Sequence, residues 1–169
     1  AYSAGQVTQP VRTVLEVGPD RAYFGLMPAA LDGLSAVGAK LVTVWPRNHE
    51  RGLPSHLATI VLLDHETGAI AALLDGRYIT EARTAAVSAV SAGHLARKDA
   101  RVLAILGSGV QARSHLEALR LVRDLAEVRV WSPKVAHRET FAREMSAASG
   151  LPVQAMISPG AAVRDADLV

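Results

Sequence analysis

The stretch "VLAILGSGVQARSHLEAL", residues 102–119, passes from an apolar run through a glycine turn into a helical pattern. Valine, leucine and isoleucine in an unbroken short run read as a buried strand, and the apolar spacing after Gly109 reads as a helix. The turn between them, Gly107-Ser108-Gly109-Val110-Gln111-Ala112, is a G-x-G-x-x-A variant. A tight strand-to-helix turn is one explanation for two glycines. Close approach of a phosphate to the backbone is the other, because a strand, a glycine turn and a helix start within a βαβ unit are the context of a dinucleotide fingerprint. In that reading Gly107 makes the turn, Gly109 admits the pyrophosphate, and Ala112 lets the helix pack close to the strand. The free N–H groups of the first helical turn then face the anion.

The pattern continues downstream. EVRVWS (127–132) reads as a strand, Val135 to about Ser149 as a helix, VQAMI (153–157) as a strand, SPGAAVRDA (158–166) as a short helix and DLV (167–169) as the start of a fourth strand. Strands alternating with helices of this length imply a parallel sheet with crossover connections. The first helix of this half is expected from Gly109 to about Arg123. At the end of the second strand stand Trp131, Ser132, Pro133 and Lys134, with no carboxylate to receive ribose hydroxyls. Ser132 and Lys134 suit a 2′-phosphate, which leans towards NADP(H) and leaves NAD(H) open. The plain alternative is that Lys134 is a solvated lysine at a helix start.

Residues 6–75 read as β-rich: VTQPVRTVLEV (7–17), YFGLMPA (23–29), KLVTVWP (40–46), LATIVLLD (57–64) and AIAALLD (69–75) are strand candidates. GPDRA (18–22) supplies a turn and HETG (65–68) a hairpin. PRNHERGLPSH (46–56) is a polar loop of a length that is often functional. From Ile79 to about Ala96 the pattern is helical, with Thr80 as its expected N-cap. RKDA (97–100) marks the expected boundary between a β-rich half over 1–97 and the first half of a dinucleotide domain over 98–169. The fold class expected is α/β, a Rossmann-type parallel-sheet unit preceded by a β-rich α+β unit.

Composition narrows the function classes. The 169 residues are half hydrophobic and one-fifth charged, an ordinary globular balance. There is no cysteine, so thiolate metal sites, disulfides and a cysteine nucleophile are excluded, and a reducing, cytoplasmic setting is the expectation. A net charge of +2 with scattered basic residues gives no footprint for nucleic acid. No apolar run approaches the roughly 20 residues of a membrane helix, and AYSAGQVTQP carries no leader pattern. Six histidines form no metal-ligand spacing. His94 and His115 read as helix-surface or core residues, whereas His56 in the polar loop is worth keeping. No initiator methionine precedes Ala1 and RDADLV (164–169) reads as a helix handing over to a strand, so a piece of a longer protein is expected.

Arg83, placed in the first turn after Thr80, opposes the helix dipole, which a bound anion would offset. It also reads as an exposed arginine or a partner of Glu81 or Asp75. Arg12 and Lys40 are further cations in apolar settings. Together the three suit a carboxylate; singly, each reads as a surface charge before it reads as a ligand.

QPVRT (9–13), LMPA (26–29), KLVTVWP, GLPSHLATIVLLD (52–64), LLDGRYITEARTAAVSAVSAGHLA (73–96), ILGSGVQARSH (105–115), EVRVW (127–131) and the closing DADLV together resemble the ornithine cyclodeaminase/μ-crystallin family. The resemblance implies a Rossmann domain beside a dimerisation and substrate domain, a homodimer, and hydride transfer between a nicotinamide and the α-carbon of a small imino or amino acid. Ketimine or pyrroline-carboxylate reduction is the leading expectation, ornithine cyclodeaminase the alternative, and a non-catalytic crystallin-like protein the second alternative. By position it implies that Arg12, Lys40 and Arg83 receive the substrate carboxylate, with Lys40 catalytic. Ser55 and His56 are nicotinamide-side contacts, Arg83 also touches the cofactor, and Gly107, Ser108, Gly109, Val110 and Gln111 hold the pyrophosphate. Ser132 and Lys134 fall where NADP-using relatives bind the 2′-phosphate; Pro133 departs from the basic residue often found there. The resemblance implies that the position of the Asp used by cyclodeaminases falls outside residues 1–169, so this sequence does not separate cyclodeaminase from reductase.

Overall fold

The computed structural model describes residues 4–169; residues 1–3, part of the stretch read for a leader, lie outside the described residues. Two compact units divide after Thr80.

The first unit is an antiparallel sheet of β1 (Val7–Thr8), β2 (Thr13–Val17), β3 (Ala22–Leu31), β4 (Ala36–Val44), β5 (His56–Leu63) and β6 (Ile70–Asp75). The order is β1-β3-β4-β5-β6, with β2 also pairing β3. The stretch 7–17, expected as one strand, is broken between Thr8 and Thr13 into β1 and β2. Pro10 lies in the break; it has no N–H to give a ladder. The hairpin at 64–69 forms as expected. Asp64 accepts the Thr67 hydroxyl at 2.8 Å and the Thr67 N–H at 2.8 Å, and Gly68 takes φ 72°. The polar loop is ordered by a 3₁₀ turn over Pro46–Arg51, and the Asn48 amide donates to the Pro54 carbonyl at 3.0 Å. Among the described residues of this unit only Ala22 is a buried hydrophobe, while Val14, Leu15, Leu57, Leu62 and Leu73 stay exposed.

Helix α1 (Gly76–Leu95) begins three residues before the expected start at Ile79. Thr80 is therefore inside the helix and not its cap. Asp75 caps it instead, accepting the Arg77 N–H at 2.7 Å. Glycine is needed next: a Cβ on Gly76 would lie 3.0 Å from the Ala58 Cβ and 3.1 Å from the Ala58 carbonyl carbon.

The second unit holds the parallel strands β7 (Val102–Leu106), β8 (Glu127–Trp131) and β9 (Val153–Ala155) in the order β7-β8-β9. Helix α2 (Val110–Leu119) joins β7 to β8, α3 (Val135–Ser149) joins β8 to β9, and α4 (Pro159–Val163) follows. Helix α2 ends at Leu119, short of the expected Arg123. Arg123 turns away to cap α1, its guanidinium donating to the carbonyls of Ala92 (2.7 Å), Ala96 (2.8 Å) and Arg97 (3.0 Å). On the edge of β7 away from β8, Leu168 makes an isolated parallel bridge with Leu103. This is the α/β, Rossmann-type arrangement, with the strand order reversing at β7.

Alternation in β8 decides the core: Val128 and Val130 are fully buried while Glu127, Arg129 and Trp131 are half-buried. They pack with Leu103, Leu116, Phe141 and Met145. Arg113 sits over the Phe141 ring at 5.3 Å and pairs with Glu144 at 2.7 Å, bracing α2 against α3. Asp167 accepts the N–H groups of Arg101 (2.8 Å) and Val102 (2.9 Å) and pairs with Arg97. Those backbone donors hold its carboxyl below the usual carboxylate range.

Candidate functional site

The glycine turn closes β7 in a conformation that needs glycine once. Gly107 takes φ 131°, a region L-residues rarely enter, and its N–H donates to the Trp131 carbonyl at 2.7 Å. Gly109 is different. It caps α2 at φ −83° and ψ −168°, which any residue adopts, and a Cβ there would meet no protein atom within 4 Å. Neither strain nor internal packing asks for glycine at 109. Glycine is among the residues favoured at an N-cap, and without a side chain this helix mouth also leaves room for a molecule to approach the backbone from outside.

The first N–H groups of a helix have no partner within it. In α2 the bond from Arg113 to Gly109, at 3.4 Å, is the first, and no side chain caps the end. The N–H groups of Gly109 to Ala112, added to the helix dipole, make this end suited to an anion. Ala112 packs against the core, as a small residue in a close helix–strand contact.

The end of β8 is tied to this turn. Ser108 donates its hydroxyl to that of buried Ser132 at 3.0 Å, and Ser132 in turn reaches the Lys134 carbonyl at 3.4 Å. Lys134 is exposed at the N-cap of α3, and no acidic residue occupies the first turn of that helix. Arg138 donates to the Ser132 carbonyl at 3.0 Å. Sequence reading passed over Arg138, although its place one turn after Lys134 was a signal that it shares that helix start.

Two polar side chains cross from α1 to α2. His115 lies with its Nδ1 2.7 Å from the Gln111 carbonyl and its Nε2 3.0 Å from the Ser88 hydroxyl. Ser88, His115 and Gln111 line, with Gly107, Gly109 and Asp167, a cavity of about 940 Å³ within the second unit. The pair is invisible in sequence because its members stand 27 residues apart.

Arg83 is exposed and is the eighth residue of α1, which starts at Gly76. The dipole argument made for it from a start at Thr80 therefore fails, since the effect is confined to the first turn.

In the first unit Lys40 pairs with Met27 on one side and Ile60 on the other, and Val44 pairs with His56. Paired residues share a face and side chains alternate, so Lys40 and His56 lie on one face of this sheet. Arg12 immediately precedes β2, and continuing that register by one residue sets it opposite Met27, the partner of Lys40. Lys40 and His56 are half-buried; Arg12 and Ser55 are exposed, and the Ser55 carbonyl accepts the Trp45 N–H at 2.8 Å. Among the described residues no three His, Asp or Glu side chains gather as metal ligands.

A model of the ornithine cyclodeaminase/mu-crystallin family matches residues 1–169. The chain is 42% identical over 138 residues to the ketimine reductase mu-crystallin of Rattus norvegicus, covering 82% of this chain and 44% of that protein. It is similar to the solved Thermococcus litoralis Delta(1)-pyrroline-2-carboxylate reductase in complex with NADH and L-proline, at TM-score 0.94 and 38% identity, covering 99% of this chain and 52% of that one. An archaeal alanine dehydrogenase dimer with bound NAD matches at TM-score 0.84 and 32% identity, over 92% of this chain and 47% of that one. The chain spans about half the length of the curated relatives it matches. With the family model running along all of it, this chain belongs to the ornithine cyclodeaminase/mu-crystallin family.

Proposed function

We propose that the protein is an NAD(P)-dependent oxidoreductase that reduces the C=N bond of a small cyclic imino acid, as its reductase relatives do by name. The observation that carries this reading is Gly109, a glycine at the mouth of a helix that neither its φ nor its neighbours require. Gly107 to Gln111 hold the pyrophosphate through backbone N–H groups. Ser132 and Lys134, in a strand end without a carboxylate, favour NADP(H) over NAD(H). When bound, the nicotinamide supplies the hydride that the imine carbon accepts. Ser55 and His56 are assigned to its side of the site.

The chain's own part is charge and orientation. Arg12 and Arg83 offer guanidinium forks to the substrate carboxylate, and Lys40 adds a third cation and the proton that the imine nitrogen takes up on reduction. Domain roles follow: residues 1–97 bind substrate and dimerise, and 98–169 form the first half of the dinucleotide domain. A homodimer is supported by the apolar side chains left exposed on the first unit's sheet, Leu73 at 65% among them. A cytoplasmic setting is read from the absence of cysteine.

The test is cofactor turnover by the full-length protein with pyrroline-2-carboxylate, piperideine-2-carboxylate and ornithine. Stoichiometric NADPH oxidation with a cyclic imine is expected. Ammonia release from ornithine without net cofactor change would assign a cyclodeaminase instead, and inactivity on all three despite dinucleotide binding would favour the crystallin-like role.

A further inference from the structure

We infer that Ser88 and His115 form a relay that sets the first turn of α2, which makes His115 a positioning residue for the dinucleotide phosphates. This rests on the reading of that turn as the pyrophosphate site.

The bond pattern fixes the relay's direction. A carbonyl only accepts, so the His115 Nδ1 that lies 2.7 Å from the Gln111 oxygen carries the hydrogen. With Nδ1 as the donor, an Nε2 that bears no hydrogen accepts the Ser88 hydroxyl at 3.0 Å. Hydrogens therefore point from α1 through the ring to the start of α2.

The Gln111 carbonyl belongs to the same peptide plane as the Ala112 N–H. Arg113 makes the first internal bond of α2, so the Ala112 N–H belongs to the group left for an anion. A donor on the carbonyl side of that plane holds its tilt and polarises the N–H on the other side. Gln111 and His115 line the same cavity as Gly107 and Gly109. Packing of α2 is supplied separately, by the fully buried Leu116 and by Leu119. The relay also ties the turn to α1, the helix that carries Arg83.

The test compares Ser88→Ala, His115→Asn, His115→Phe and the double variant Ser88→Ala/His115→Phe in the full-length protein. Dissociation constants for NADH and NADPH, thermal midpoints, and KM and kcat for a cyclic imine are measured together. His115→Phe is expected to weaken both dinucleotides about tenfold and Ser88→Ala about threefold. His115→Asn, whose amide can donate near the Nδ1 position, should recover most of the loss. The double variant should match His115→Phe alone, and kcat at saturating dinucleotide should fall less than about twofold. Dinucleotide affinities unchanged in every variant, with only the midpoint lowered, would reduce the pair to helix packing and overturn the relay alone. If His115→Phe does not fold, Ser88→Ala and His115→Asn decide. A wild type that binds neither dinucleotide overturns the cofactor reading, and the relay with it.

Discussion

Ser108 donates its hydroxyl to Ser132 across 3.0 Å, so the glycine turn after β7 and the end of β8 are held as one piece. In a dinucleotide domain these two loops meet different parts of one ligand, the pyrophosphate and the adenosine ribose. Their connection makes separate tests of each loop informative.

The two glycines should behave oppositely on substitution. Gly107→Ala forces a side chain into φ 131° and should cost about 1–3 kcal/mol of stability. Gly109→Ala meets no protein atom and has an ordinary φ, so its stability change should stay within about 0.5 kcal/mol. Dinucleotide affinity should nevertheless drop at least about tenfold in Gly109→Ala, because the added methyl would stand where the proposed pyrophosphate site needs bare backbone. Thermal melts beside fluorescence titration with NADH read both quantities; undiminished affinity in Gly109→Ala would remove the main support for the site.

Charge at the start of α3 should select between cofactors. With Lys134 at a 2′-phosphate, as proposed, Lys134→Glu removes a contact worth about 1.5–3 kcal/mol and should weaken NADPH far more than NADH. Arg138→Ala should act in the same direction, since Arg138 holds the Ser132 carbonyl at that strand end. Titration of each variant with both cofactors is the measurement. Equal losses for NADH and NADPH would make Lys134 a solvated lysine.

Arg123 closes the C-terminal end of α1 by donating to four carbonyls there, those of Ala92, Gly93, Ala96 and Arg97. Arg123→Ala takes the guanidinium bonds from all four, leaving Ala92 only its helical bond from the Ala96 N–H, and removes a cation from the negative end of the helix dipole. A loss of about 1–3 kcal/mol is expected in denaturant unfolding. Arg123→Lys should restore the charge but few of the bonds, so it should fall between the two.

Acid should act through Asp167. Its carboxyl titrates below its unfolded value because the Arg101 and Val102 N–H groups donate into it. The sign follows: the stabilisation is complete above the unfolded carboxylate range, near pH 4, and fades as pH falls through the lower folded value. Asp167→Asn should lower the thermal midpoint at pH 7 and show a shallower fall between about pH 5 and 3 than the wild type. A parallel fall in both proteins would mean that other carboxylates govern acid unfolding.

Most of the second unit was legible because its periodicities are strong and its caps are local. Helix α3 runs from Val135 to Ser149 as read, closed by Gly150 in the left-handed region at φ 73°. The misreadings share a cause, in that the deciding partner is remote or is a backbone group. Helix α1 starts early because Asp75 caps it and because Gly76 fits against Ala58, a neighbour only in the folded sheet. The first stretch breaks around Pro10, where the register on β3 shifts by one residue between Thr8↔Ala30 and Thr13↔Leu26 and where neither Pro10 nor Pro28 of β3 has an N–H to give. The glycine turn could be read from its own residues, whereas the Ser88–His115 pair and the Arg138 bond required the packed helices. Lys40 and His56 illustrate the middle case: alternation reads Lys40 into a strand and leaves His56 at the end of the polar loop, whereas the structure begins β5 at His56, and only the register of β4 with β5 puts the two on one face.

The bridge between Leu168 and Leu103 has a consequence in time as well as in space. β7 stands at one side of the three-stranded sheet, with β8, the next strand in the chain, along one edge and the isolated bridge to Leu168 on the other. Contacts on that later edge, such as Asp167 with Val102, join positions 65 apart. Loop closure over such a span costs little more at equilibrium than over half of it, about 0.6 kcal/mol per doubling. Folding speed is more sensitive to separation. Pairing on the β8 side, closer in sequence, is the faster to close, and until residues near position 168 dock, the other edge of β7 shows an open row of backbone donors and acceptors to any other chain nearby.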